Sequence, residues 1–308
     1  MMTEQKPMIS VKDLSKRYGA TLAVDSLSFD VYKGSIFGLL GTNGAGKTTS
    51  FKCLLGLAFP DSGAVSFDGE ALRPEMFERI AYVPERNALY GWMTGRDHLE
   101  MTKRSFRRYD PARAQALLDL FGFDVRKKVK QLSKGQQSAL ALTMAFSTRP
   151  DILVLDEPSA GLDPVHQRHV LDLMIDAAAG GATILFSSHQ IGQVERAADH
   201  VAIMHKGKVA LAGDVEELRA GEKVVEATFD GDAPQISALD SDPHVRRVMR
   251  QGRILRAYIR DGGNGVATLI DRAKPASMRI LNQNLEDIFL AAVGDDASAT
   301  MAALNREA

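Results

Sequence analysis

With 308 residues the chain has room for one large domain or two smaller ones and can bury a substantial core. At 45% hydrophobic and 25% charged it is an ordinary globular composition, and a formal net charge of -1 gives no general pull toward nucleic acid or acidic lipid. The lone Cys53 excludes an intramolecular disulfide, suits a reducing compartment and reads as a small buried packing residue. Met1 to Ser10 is polar, so no leader is expected. No run approaches the roughly 20 apolar residues that span a bilayer, so a membrane role would need a second chain to supply the span.

Ile9-Ser10-Val11-Lys12-Asp13-Leu14 alternates like an edge strand, and Leu27 to Tyr32 alternates more cleanly. Between them Tyr18, beside Gly19, stands in a turn, where it either stacks on a purine ring or packs against its own surroundings. The apolar run Ile36 to Leu40 then predicts a buried strand. It leads into Gly41-Thr42-Asn43-Gly44-Ala45-Gly46-Lys47-Thr48-Thr49, and a helix follows from Ser50. This is G-x-x-x-x-G-K-[ST] in its strand–loop–helix setting. Glycines let backbone N–H groups approach a polyphosphate, the helix aims its positive end at the same anion, Lys47 adds a point charge, and the Thr48 hydroxyl can ligate Mg²⁺.

Ala64 to Phe67 reads as a strand entering the tight turn Asp68-Gly69. Ile80 to Val83 is another short strand, ended by Pro84, which leaves Glu85 beyond its C-terminal end as either a nucleotide-facing group or a solvated loop carboxylate. Residues 93–148 read as mostly helical. Two basic clusters there, Lys103, Arg104, Arg107 and Arg108, then Arg126, Lys127, Lys128 and Lys130, read as solvated helix faces, with partner docking as the sharper alternative. They lack interleaved aromatics, which argues against nucleic acid. In Leu132-Ser133-Lys134-Gly135-Gln136-Gln137, Ser133 is an N-cap for the apolar helix that follows, and the same helix start is a second potential anion site.

Ile152-Leu153-Val154-Leu155 predicts a strand buried on both faces, and Asp156-Glu157-Pro158 places two carboxylates at its exit. Beside a phosphate loop the first suits Mg²⁺ and the second can orient or deprotonate a water. Thr183 to Ser187 is a further buried strand that ends at His189, which is a site histidine or a satisfied loop histidine. Lys206-Gly207 joins two strands as a hairpin and closes the first domain near Asp214, with Val215 to Ala220 as a short linking helix. Strands are expected at Val224 to Phe229, Val245 to Met249, Ile254 to Ile259 and Ser277 to Ile280, with helices at Gly265 to Arg272 and Leu285 to Val293. That makes a small α+β domain with no catalytic constellation.

The order of these motifs over Ile9 to Asp214 resembles the ATP-binding subunit of ABC transporters. The resemblance implies an α/β P-loop core with an antiparallel β arm and a helical subdomain at about 93–148. The expected layout is an ATP-binding domain over 1–220, an α+β accessory domain over 221–294 and a loose tail over 295–308. It implies that Tyr18 stacks on adenine, that Gly41 to Thr49 holds the phosphates, and that Thr48, Asp156 and Glu85 serve Mg²⁺. Glu157 becomes the catalytic carboxylate, with Lys47 and His189 beside it at the γ-phosphate. Ser133, Lys134, Gly135 and Gln136 form the signature that meets ATP held by a second copy of the chain, and Asp163 lies in a loop at the same interface. Cofactors are then ATP and Mg²⁺, the partners a membrane permease and a second copy, and the place cytoplasmic, on the inner face of the membrane through the permease.

Three positions depart from the common pattern: Thr42 for a frequent Pro, Lys134 for a frequent Gly, and Glu85 for a frequent Gln. Tyr82-Val83-Pro84-Glu85, with a C-terminal domain ending in Asn284 to Phe289, resembles ATPases of exporters. Two alternatives stand beside transport: a soluble ATPase of the same fold working in translation or DNA repair, and a module that holds ATP without hydrolysing it.

Overall fold

The structure, a computed structural model, describes residues 6–86, 88–260, 264–282 and 284–293. Its elements run β1 (Pro7–Tyr18), β2 (Thr21–Tyr32), β3 (Ile36–Gly41), α1 (Lys47–Leu54), β4 (Ser62–Phe67), β5 (Ile80–Val83), α2 (Gly95–Ser105), α3 (Pro111–Phe121), α4 (Lys134–Ser147), β6 (Ile152–Asp156), α5 (Pro164–Ala179), β7 (Thr183–Ser188), α6 (Ile191–Ala197), β8 (His200–His205) and β9 (Lys208–Asp214). There follow α7 (Val215–Gly221), β10 (Glu222–Thr228), α8 (Ser237–Asp240), β11 (Val245–Gln251), β12 (Ile254–Arg260), α9 (Asn264–Asp271), β13 (Ser277–Asn282) and α10 (Leu285–Val293). The chain divides into two compact units, Met1–Ala212 and Gly213–Ala308. No helix among the described residues is long and apolar enough to cross a membrane.

In the first unit a six-stranded sheet runs β5-β6-β7-β3-β8-β9, and its pairs from β5 through β8 are parallel. Strands β3, β6 and β7 are buried along their whole length, as their unbroken apolar runs require of strands covered on both faces. Lys206 and Gly207, with φ of 49° and 84°, supply the left-handed pair that a two-residue hairpin between β8 and β9 needs.

A three-stranded antiparallel sheet, β2-β1-β4, forms the arm. Here the structure corrects the expectation for Ile9 to Leu14: β1 is the central strand of this sheet, not an edge. The reason is a partner distant in sequence: β4 pairs along the other side of β1, from Ile9 opposite Phe67 to Ser15 opposite Ser62. The register against β2 shifts between Val11 and Leu14, and Asp13 takes a φ of 48°. This irregularity lets Ile9, Val11 and Leu14 all face the core while Lys12 and Asp13 stay exposed.

The helical segment holds α2, α3 and α4, each with a side-chain cap. Thr94 with Asp97 and Ser133 with Gln136 form capping boxes, and Asp110 accepts from Ala112 and Arg113 N–H. A small core of its own, Leu99, Val129, Leu132 and Leu140, holds this segment together. In the basic clusters Arg104 pairs with Glu100, Arg108 with Asp151 and Arg126 with Asp124, as a solvated charged face does.

In the second unit β10-α8-β11-β12-α9-β13 gives a four-stranded antiparallel sheet of order β11-β12-β10-β13, the split βαβ arrangement. Val225, Ala227, Leu255, Ala257 and Ile259 pack against Val266 and Ile270 of α9. The helix expected from Gly265 begins one residue earlier and ends at Asp271, and the anticipated tail at 295–308 lies outside the described residues.

Candidate active site

Sheet topology brings the chemistry-bearing residues together. Strands β3, β6 and β7 are neighbours and parallel, so Gly41, Asp156 and Ser188 leave the sheet at the same edge, where α/β folds bind ligands. The loop from Thr42 to Thr49, with Ala23, Glu85 and Glu157, lines a cleft of about 360 Å³. Gly46, with φ of 108°, caps α1 in a conformation that side chains resist. A Cβ there would meet the Ala23 carbonyl at 2.4 Å. Gly46→Ala is therefore expected to strain the loop by about 1–3 kcal/mol from backbone conformation alone, with the clash added. Thermal melting and titration with a fluorescent ATP analogue should show a lower midpoint and weakened binding.

Lys47 is buried, and three oxygens surround its ammonium. Nζ donates to Gly41 O at 2.7 Å and Thr42 O at 3.3 Å. It also lies 3.1 Å from Glu157 Oε1, an ion pair whose alignment falls short of a hydrogen bond. The other Glu157 oxygen, Oε2, is 2.8 Å from His189 Nδ1, and since a carboxylate only accepts, that nitrogen carries the proton. Glu157 itself is buried, with φ of 50°. Burial pushes its carboxyl up, but the His189 hydrogen bond and the Lys47 charge prevail and hold it below the usual glutamate range.

Asp156 is fully buried. Its Oδ1 accepts from Ser187 Oγ at 2.5 Å, and Ser187 Oγ accepts in turn from Glu157 N at 2.9 Å. One hydroxyl thus fixes both carboxylate-bearing residues. Asp156 Oδ2 is buried with no hydrogen-bond partner. The loop after Glu157 is tied to the β7 exit through Gln193, whose Oε1 accepts from Ser159 Oγ at 2.6 Å and Ser188 Oγ at 3.2 Å. Residue patterns alone did not single out Ser187 or Gln193. The available signal was the pair of hydroxyls ending an otherwise apolar buried strand.

No group of three or more His, Cys, Asp or Glu side chains among the described residues forms a metal cage. The donors present fit Mg²⁺ bound with few protein ligands: the orphaned Asp156 Oδ2 and the half-buried Thr48 at the start of α1. Glu85 is exposed at the rim of the cleft.

Tyr18 does not line this cleft. It is half exposed at the end of β1, with Lys16 Nζ 5.4 Å from its ring centroid, on the hairpin whose Ala23 does line it. The remaining expected residues gather elsewhere. Ser133, Gly135 and Gln136 share a second cleft, also about 360 Å³, with Gly161, Asp163 and His166, and Lys134 is exposed beside it. The start of α4 rests closely on the loop ahead of α5, since a Cβ at Gly135 would meet Gly161 O at 2.7 Å. Asp163 caps α5 by accepting Val165 and His166 N–H, and its carboxylate also pairs with His166 Nδ1 at 2.5 Å. Within one chain, then, the phosphate loop and the Ser133 segment line separate clefts.

The ABC transporter family model matches residues 24–160. The chain is 29% identical to the ABC transporter ATP-binding protein YtrB of Bacillus subtilis (strain 168), over 93% of this chain and 98% of that protein. It is 35% identical to the Nod factor export ATP-binding protein I of Ralstonia nicotianae, over 94% of each. Among solved structures, an ATP-binding subunit of an ABC transporter superposes with a TM-score of 0.63 at 32% identity, covering 69% of this chain and 92% of that one.

Proposed function

The chain belongs to the ATP-binding proteins of ABC transporters, an ATPase family, and from that premise we propose that it hydrolyses ATP with Glu157 as the base, in a dimer of two such chains, to drive export through a separate permease. The observation that carries this is the contact set Lys47–Glu157–His189, whose first two members line the phosphate-loop cleft.

An arriving polyphosphate offers Lys47 a stronger partner than the carbonyls of Gly41 and Thr42. As the ammonium turns to it, Glu157 loses one of the charges that hold its carboxyl low. The carboxylate becomes a better base as substrate binds, while His189 keeps it oriented toward the water that attacks the γ-phosphorus in line. Thr48 and Asp156 would hold Mg²⁺, with Glu85 at the rim, and the ion would neutralise charge on the phosphates. Tyr18 is suited to the adenine at the outer end of the hairpin.

The separation of the two clefts supports a shared site. The Ser133 to Gln136 helix start, with Asp163 beside it, then faces ATP held by the second copy. Subunits carrying Ser133→Arg mixed with subunits carrying Lys47→Ala should retain turnover in the heterodimer, because one composite site stays whole. Complete loss there would count against shared sites. The export direction draws on the relative whose name includes Nod factor export, and a cytoplasmic position beneath the membrane follows from a permease partner. Affinity purification from solubilised membranes tests the partner: an integral-membrane protein should co-purify, and ribosomes or DNA in its place would overturn transport.

A further inference from the structure

Asp156 Oδ2 is not the only buried side-chain polar atom without a hydrogen-bond partner. Tyr82 Oη is another. Such groups are rare in folded proteins and point to a water or an ion.

The two belong to one place. Tyr82 on β5 is in register with Val154 on the adjacent parallel β6, so Asp156 stands two positions nearer the strand exit. Ile80, Ile152 and Val154 pack into one core with Phe51 and Leu55, and Tyr82 packs against that core. By the alternation of strands, Asp156 lies on the same sheet face as Tyr82. Thr48, Phe51 and Leu55 are at helical spacing along α1, so the Thr48 hydroxyl is on the stripe that meets this face. From strand spacing and rise, the Cα positions of residues 82 and 156 are about 8 Å apart. A backbone separation of that size leaves room for one water between the two side chains. Burial, then the charges of Asp156 and Glu85, push the Tyr82 phenol up, so its hydroxyl keeps its proton.

The chemistry assigns each atom a partner. Asp156 Oδ2 only accepts, a water has two hydrogens to give, and Tyr82 Oη accepts one while donating its own. Glu85, on the loop that leaves β5, is an acceptor for that donation. We propose that Tyr82 is a positioning residue for the magnesium side of the site: its Oη and Asp156 Oδ2 hold one water between them, and its O–H donates to Glu85. This rests on the reading of Asp156 and Thr48 as the magnesium side. It gives a reason for a carboxylate at position 85, which completes a hydrogen-bond chain from the loop to Asp156.

The test is the Mg²⁺ dependence of nucleotide affinity in the full chain, read with a fluorescent ATP analogue from EDTA to saturating Mg²⁺. Tyr82→Phe removes one oxygen. Losing one net hydrogen bond should raise the Mg²⁺ concentration at half-effect about three- to tenfold. Affinity in EDTA and the thermal midpoint without Mg²⁺ should stay at wild-type values. Glu85→Gln, which keeps an acceptor but loses the charge, should raise the half-effect concentration less, and Tyr82→Phe/Glu85→Gln should match Tyr82→Phe alone. An unmoved half-effect concentration in Tyr82→Phe, or an equal loss of affinity in EDTA, overturns the proposal alone. Additive effects in the double variant overturn the Glu85 link. Wild-type affinity that ignores Mg²⁺ overturns the magnesium reading itself, and this proposal with it.

Discussion

Glu157→Gln is expected to lower steady-state ATP turnover by about 10²–10⁴-fold while leaving ATP binding in place. The amide keeps the size of the side chain and can still meet His189, but it cannot take a proton from water. It also removes the negative partner of Lys47 at 3.1 Å, so the ammonium is freer to meet phosphate and affinity should hold or rise. Single-turnover phosphate release and equilibrium binding, measured on the same preparation, separate these effects. A variant that turned over ATP at the wild-type rate would remove Glu157 from the chemistry. In the wild type the kcat/KM profile, which reports the free enzyme, should not fall between neutral pH and the ordinary glutamate range through Glu157 alone, because there its carboxyl is held below that range.

Lys47→Ala should cost two things at once. A charge-assisted contact to phosphate is worth about 1.5–3 kcal/mol, so nucleotide affinity should fall roughly 10- to 100-fold. The second cost is to folding. Removing one partner of a buried ion pair destabilises by up to about 3–5 kcal/mol, and here His189 remains on Glu157, so the loss should lie toward the lower side. The sign with pH follows from the direction of the shift. A carboxyl lowered in the folded state contributes stability above its unfolded value, and that contribution disappears as pH falls through the folded value. Lys47→Ala weakens the lowering, so the gap in melting midpoint between wild type and variant should be widest near neutral pH and narrow in acid. A constant gap across pH would mean that the ion pair is not its source.

What the sequence made legible was whatever is local in the chain. The phosphate loop from Gly41 to Thr49 carries its own strand, turn and helix, and the Ser133 capping box is complete within four residues. The buried β6 run needed only its four apolar residues. What stayed hidden depends on register between distant segments. Ser187 serves Asp156 because β6 and β7 pair with those two residues as partners. The two hydroxyls that end β7 hint at a polar role, but only the pairing names its partner. The edge reading of the arm strand fails for the same reason: its alternation tells which side chains face the core, and the strand that covers its second side, β4, comes from Ser62–Phe67. Tyr18 and Glu85 were ambiguous in the sequence for a physical reason: both are exposed, and exposed side chains are not fixed by packing.

The central claim is that the phosphate-loop cleft is half of an active site and that a second chain brings the rest. Light scattering of Glu157→Gln with and without Mg-ATP tests it most directly. The expected result is a monomer mass without nucleotide that doubles when Mg-ATP is added and reverts when the nucleotide is removed. A variant that binds Mg-ATP yet keeps the monomer mass at every protein concentration would contradict it.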